Sequence, residues 1–273
     1  MNSDKDYALS VGPSDLERMT MLGEIYMPYC AEFLIGNGLK PGLNVADIGC
    51  GPGNTSLWLS KQVGETGKVL AIDNSDAQLT ILEKKIMDNA ISNITTLSHD
   101  IYQIEQIKER FDLIFCRFLF VHLVEPLKII EKLYTLLNPG GYLILAELDN
   151  STWFSYPLHS ALQHDTKLLC EVGNIKGSDF SIGPKLYGYL RKNKFASIRV
   201  KIEQPVLVNK YRNYLTIKSS AWDTTYVDLN LSSKFESENR IKQLQELGNN
   251  QDYLLAGAKM YLVAGQKTFK KTI

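Results

Sequence analysis

Residues 44–60 read NVADIGCGPGNTSLWLS, with Gly49, Gly51 and Gly53 on alternate positions behind Asp47. Residues 44–48 suit a short buried strand, and Asn54 or Thr55 is placed to cap a helix running on through Trp58. The glycines supply a turn in which side chains would clash, so backbone N–H groups can approach a ligand. A strand, a glycine turn and a helix N-terminus in succession make a nucleotide-type site in an α/β sheet. The dinucleotide fingerprint G-x-G-x-x-G fits only in its first half. Its third glycine would fall at Asn54, and here the glycine comes one residue early.

Outward from this stretch, strand and helix alternate. Strands are expected at 68–73, 94–101, 111–118 and 142–149, and helices at 76–90 and 126–137, the second stopped by Gly140 and Gly141. Beyond 150 the texture changes. Residues 151–173 are aromatic-rich and expected to be helical after Pro157, 182–194 read as a helix and 197–208 as a long strand. Residues 209–248 read as mostly helical, before a last strand at 259–265. The whole predicts an α/β fold: a doubly wound, mainly parallel seven-stranded sheet covered on both faces, with right-handed crossovers and helical cap insertions.

Composition narrows the function classes. The 273 residues are 44% hydrophobic and 22% charged, which is ordinary for a globular chain with a real core. Thirty basic and 30 acidic residues cancel, so no overall field would gather nucleic acid or anionic lipid. Cys30, Cys50, Cys116 and Cys170 are scattered without C-x-x-C spacing, against a structural zinc or a disulfide framework. No apolar run approaches the ~20 residues that span a bilayer, and no leading segment resembles a signal peptide. The expectation is a reduced, cytoplasmic protein, monomer or homodimer, with a small-molecule partner and neither metal, membrane nor nucleic acid.

The pattern D-x-G-x-G-x-G at Asp47, Gly49, Gly51 and Gly53, with LNPGGYLILAE at 137–147 and MYLVAGQK at 260–267, resembles the class I S-adenosylmethionine (SAM)-dependent methyltransferases. It is similar to their small-molecule enzymes of the ubiquinone/menaquinone-biosynthesis type. The resemblance implies a Rossmann-like methyltransferase fold over 1–273, SAM as cofactor and S-adenosylhomocysteine (SAH) as its product. Within that one domain, 1–40 would form an N-terminal helical lid, 41–150 the SAM-binding half, and 151–180 with 209–250 the cap.

The chemistry agrees. SAM carries an ammonium, a sulfonium and a ribose diol, all of which favour nearby carboxylates. Asp73 ends the second strand, where it can accept both ribose hydroxyls or cap the following turn. The resemblance implies that Asp47 lies near the methionine end, besides bracing the turn, and that Gly49, Cys50, Gly51 and Gly53 line the cofactor. It also implies that Asp100 meets the adenine amino group between Asn74 and Ile101. Tyr7 and a helix at 13–27 would fold over SAM.

The fourth strand ends in FCRFLFVHL, residues 115–123. Carboxyl ends of strands face the ligand crevice, which places Arg117, Phe118 and His122 near the transferable methyl, with Glu147 and Asp149 at the fifth tip. Arg117 binds a carboxylate there or bridges to Glu147 or Asp149. His122 is the candidate general base, or a structural histidine, and the only histidine expected near the crevice; His99 should alternate away into the sheet packing. The C-R-F-L tip is not the N/D-P-P-Y of amino-methylating nucleic-acid enzymes, and no Pro-Cys nucleophile occurs.

The expected function is methyl transfer to an oxygen, nitrogen or carbon of a small molecule. A non-catalytic SAM-binding sensor or partner protein of the same fold is the alternative. An enzyme needs an enclosed chamber, lined by Arg117, His122 and at least one of Trp153, Phe154, Tyr214 and Trp222.

Overall fold

The computed structural model describes residues 13–269. In chain order it contains α1 (Pro13–Gly36), β1 (Asn44–Ile48), α2 (Asn54–Val63), β2 (Lys68–Asp73), α3 (Asp76–Asp88), β3 (Ile94–Ser98) and β4 (Phe111–Arg117). Then come α4 (Pro126–Leu136), β5 (Leu137–Asp149), β6 (Phe154–Tyr156), α5 (Ser160–Lys176), α6 (Leu186–Lys192) and β7 (Ala196–Glu203). The chain closes with α7 (Tyr214–Asp228), α8 (Lys234–Asn249), β8 (Leu254–Ala256) and β9 (Lys259–Gln266).

Seven strands form one sheet in the order β3-β2-β1-β4-β5-β9-β7. β1 to β5 run parallel, whereas β9 is antiparallel to both of its neighbours, β5 and β7. The order reverses between β1 and β4, so their carboxyl ends splay into a crevice at the switch point. Both faces of the strands are apolar because helices cover both. Val45, Leu113 and Phe115 point into one buried cluster with α1 and α2, while Ala46, Ile114 and Cys116 point into another with α4 and α6. Each such Leu, Ile or Phe contributes roughly 1.5–3 kcal/mol by leaving water.

Several boundaries differ from expectation, each for a local reason. α2 is capped by Gly53 in the left-handed conformation, without a side-chain bond from Asn54 or Thr55. The third strand stops at Ser98 because the Asp100 side chain caps a 3-10 turn at Ile101–Gln106. The fourth ends at Arg117 because Phe118 turns to φ +56°. β5 begins at Leu137, already paired with Phe111 across a bulge, so the two glycines lie within the strand. The expected helix at 182–194 begins as a separate 3-10 turn at Gly183–Lys185, and the long strand stops at Glu203 before Pro205.

Residues 154–156, which precede the helix expected after Pro157 and carry no expected element, pair with β8 in a second, two-stranded sheet. Above the crevice, α7 packs on α8 and on α1, and α5 packs on both α7 and α8. No helix among the described residues is long and apolar enough to cross a membrane.

Candidate active site

The turn after β1 is built from main-chain bonds. Gly49 and Cys50 both donate from N–H to Ile72 O, at 2.8 and 3.0 Å. The Gly51 N–H donates to Asp73 Oδ2 at 2.8 Å, and Ser75 N–H to Asp73 Oδ1 at 3.0 Å. Burial raises the Asp73 carboxyl, against the pull of the Gly51, Ser75 and Asn74 N–H groups. A carboxylate has about four acceptor positions, so capacity remains for a ligand. Asp73 thus braces the turn, while Ser75 caps α3 through its own hydroxyl.

Asp47 stands behind this turn. It is 2% exposed and accepts from Ser56 Oγ at 2.5 Å. Burial pushes it up to about 6, with Ser56 and Arg117 pulling down and Asp73 pushing up. Gly53 is bare for a packing reason: a Cβ there would lie 2.1 Å from Leu82 Cδ1, at φ +77°.

The tip of β4 is locally strained. Phe118 holds a positive φ, a conformation that costs a bulky residue about 1–3 kcal/mol. Glu147 compensates from the neighbouring strand tip. Its carboxylate accepts from Leu119 N–H at 2.9 Å, Phe120 N–H at 2.8 Å and Val121 N–H at 3.4 Å. Burial pushes Glu147 up to about 8, against those three donors and Arg117. Neither Glu147 nor Asp149 forms a salt bridge with Arg117 among the described residues; Asp149 accepts instead from Ser151, at 2.5 Å from its hydroxyl. The Arg117 Nη1 atom is buried without a hydrogen-bond partner, and the guanidinium lies 5.1 Å from the Phe118 ring. Of the two roles open to Arg117, the bridge between the tips does not form among the described residues.

One cavity of about 290 Å³ runs from these strand tips to the cap. That is near the lower end of small-molecule sites, about 300–1,000 Å³. Its floor is formed by Gly49, Cys50, Gly51, Asp73 and Asn74, with Asp100 and Ile101 from the end of β3. Arg117, Phe118 and His122 follow, and Trp153, Tyr214 and Trp222 form the far wall. Trp153 stacks on Tyr214 at 5.8 Å, and Phe180 meets the edge of Trp222 at 5.3 Å. His122 lies edge-on to Phe180 at 5.7 Å, and burial, with Arg18 and Lys176 nearby, pushes its imidazole down to about 4.

Five expected residues are not on this wall. Asp47 and Gly53 lie behind the turn, Glu147 lies behind the β4 tip, Asp149 is engaged by Ser151, and Phe154 is 39% exposed on β6. Neighbours in an extended chain face opposite ways, so Trp153 and Phe154 part company. Conversely, His99 does line the cavity, because β3 ends before it and the alternation lapses. Tyr7 lies outside the described residues. Sequence reasoning missed Arg18 and Met19 of α1, and Lys218 of α7. Tyr214, Lys218 and Trp222 recur every four residues, a spacing that puts them on one helix face.

These groups fit SAM. The carboxylates at the β2 and β3 tips suit its hydroxyls and amine, the bare turn admits its methionine portion, and the orphan Arg117 Nη1 suits its carboxylate. The profile described as "Methyltransferase domain" matches residues 39–204, more than half of the chain. The chain belongs to this methyltransferase family. SAM is the family's cofactor, and the fold is that of its Rossmann-like members.

A demethylmenaquinone methyltransferase from Oceanobacillus iheyensis is 26% identical over 118 residues, covering 43% of this chain and 50% of that one. The ubiquinone/menaquinone biosynthesis C-methyltransferase UbiE of Psychromonas ingrahamii is 27% identical over 177 residues, 63% of this chain and 65% of that one. The chain thus spans less than two thirds of the length of either relative. A SAM-dependent methyltransferase from Aquifex aeolicus superposes with a TM-score of 0.51 at 25% identity, over 72% of this chain and 93% of that one.

Proposed function

We propose that this protein transfers a methyl group to a ring carbon, or an attached oxygen, of a small planar acceptor enclosed by the cap. The observation that carries the reading is a continuous cavity that joins the strand-tip carboxylates to an aromatic chamber. The names of the relatives, which refer to quinone methylation at carbon, favour a ring acceptor.

Bound SAM supplies an activated methyl on a sulfonium, and the chain's own residues do the rest. Asp73 receives the ribose hydroxyls and Asp100 the adenine amine. Arg117 receives the methionine carboxylate. α1 serves as the lid and α5 with α7 as the cap, together excluding water from the reacting atoms. Holding donor and acceptor in line contributes roughly 7–11 kcal/mol, so a strong base is not required. His122, neutral at pH 7 with its imidazole near 4, is a weak proton acceptor and acts by packing and hydrogen bonding. A sensor would fill the space beside the cofactor with side chains, whereas a methyltransferase needs room there for the acceptor.

The test is incubation with isotopically labelled SAM and a panel of reduced quinones, phenols and a cellular metabolite extract, followed by mass spectrometry. A labelled, methylated ring compound is the expected product. Failure to bind SAH in calorimetry would overturn the reading.

A further inference from the structure

The cap wall of the cavity contains a buried cation. The Lys218 side chain is 3% exposed, and its Nζ lies 2.5 Å from Oδ2 of Asp165, which is fully buried. The same Nζ lies 4.8 Å above the Trp153 ring. An ammonium has three N–H donors; the carboxylate takes one and the ring face another, and Lys218 itself borders the cavity.

Asp165 is also shared. Arg240, 2% exposed, brings its Nε to 3.4 Å from Asp165 Oδ1, so one buried carboxylate faces two buried cations. A second acid, Asp223, is 30% exposed and lies 3.8 Å from Arg240. Arg240 is also held by the hydroxyls of Ser219, Ser232 and Ser237, so two acids balance two cations and what is left uncommitted is the third N–H of Lys218. Lys218 borders the cavity, so that third N–H is the donor it can offer to a ligand there.

The geometry points to an anion subsite at the cap end: the acceptor is an aromatic molecule with an ionised oxygen, which Lys218 receives while its ring lies along Trp153 and Tyr214. This deepens the methyltransferase reading and rests on it. The cavity then has two cationic poles for two anions, Arg117 at the strand tips for the cofactor carboxylate and Lys218 for the acceptor. It also accounts for the lack of a strong base. The acceptor's O–H proton is released to solvent on binding, and the cation beside the oxygen favours the ionised, electron-rich form.

Calorimetry separates this inference from the reading beneath it. SAH is titrated first, and its failure to bind would count against the methyltransferase reading itself. The SAH complex is then titrated with 4-nitrophenolate against its neutral ether 4-nitroanisole, and with benzoate against benzamide. The wild type should prefer one anion to its neutral counterpart by about tenfold or more, the strength of one charge-assisted bond. The pair that discriminates tells a phenol-type acceptor from a carboxylate. Lys218→Met should erase the preference with SAH affinity within about threefold, and Lys218→Arg should retain most of it. If Lys218→Met does not fold by circular dichroism, Lys218→Met with Asp165→Asn removes both charges and takes its place. Equal binding of anion and neutral ligand by the wild type, binding of neither, or an unchanged preference without Lys218 would each overturn the subsite.

Discussion

The floor and the far wall of the cavity are made in different ways. The floor is main chain and short acids: Gly51 bonds Asp73 directly, and Asp100 caps its own turn. Its parts come from the strand tips of a sheet whose register is closed by ladder bonds. The wall is side chain on side chain, with Trp153 stacked on Tyr214 and Lys218 paired with Asp165 from another helix. A floor of backbone suits a ligand that never varies. A wall of aromatics can change acceptor by substitution without disturbing the sheet.

That contrast can be broken at several points. The largest effect is expected from Gly53→Ala, which drives a methyl into the fully buried Leu82 at a left-handed backbone position. Strain and overpacking together should cost about 2–5 kcal/mol of stability in denaturant unfolding. A cost below 1 kcal/mol would show that α3 can move away, and that the floor is softer than its hydrogen bonds imply. Next, Asp73→Ala should weaken SAM binding by about 2–4 kcal/mol in calorimetry, by removing charge-assisted bonds to the ribose. An unchanged affinity would reduce Asp73 to a brace for Gly51 and Ser75.

His122 joins floor to wall, and its lowered imidazole has a defined sign. Between pH 6.5 and about 4 the unfolded chain takes up a proton that the folded one refuses, so acidification through this window costs stability. The loss should be at most about 3 kcal/mol, and it should disappear in His122→Gln when unfolding is compared at pH 7 and pH 4.5. Comparing the variant with the wild type cancels Asp47 and Glu147. Their raised carboxyls act in the opposite sense, with stability lost as pH rises through about 6 and about 8. A pH dependence unchanged in the variant would place the proton uptake elsewhere.

The smallest effects sharpen the wall. Trp153→Ala should lower turnover about three- to tenfold with SAM affinity nearly unchanged, the scale of one lost aromatic pair. Phe154→Ala, one residue on and facing away, should change neither by more than about twofold. Equal losses at both positions would mean that the effect comes through the cap's stability and not through the chamber.

Strands β1 and β2 were legible to the residue, since an apolar run bounded by a charged or glycine residue leaves little choice. The ends of β3 and β4 were not. His99 was misplaced because a periodicity argument cannot see that the Asp100 side chain will capture Tyr102 N–H and end the strand. Glu147 was expected beside the substrate for being at a strand tip. Three N–H groups of the next loop claim it instead, a demand that exists only once Phe118 has turned to positive φ.

The sheet, the glycine turn and the acids at its strand tips follow from spacing within short stretches, because backbone hydrogen bonding and alternation are local rules. The wall does not. Lys218 is one lysine among many until α5 brings Asp165 to it, α8 brings Arg240, and the loop after β5 lays Trp153 beneath its ammonium. Those partners are 53, 22 and 65 residues away in the chain. Burial and charge balance are properties of the assembled contact, and only packing brings the contact into being.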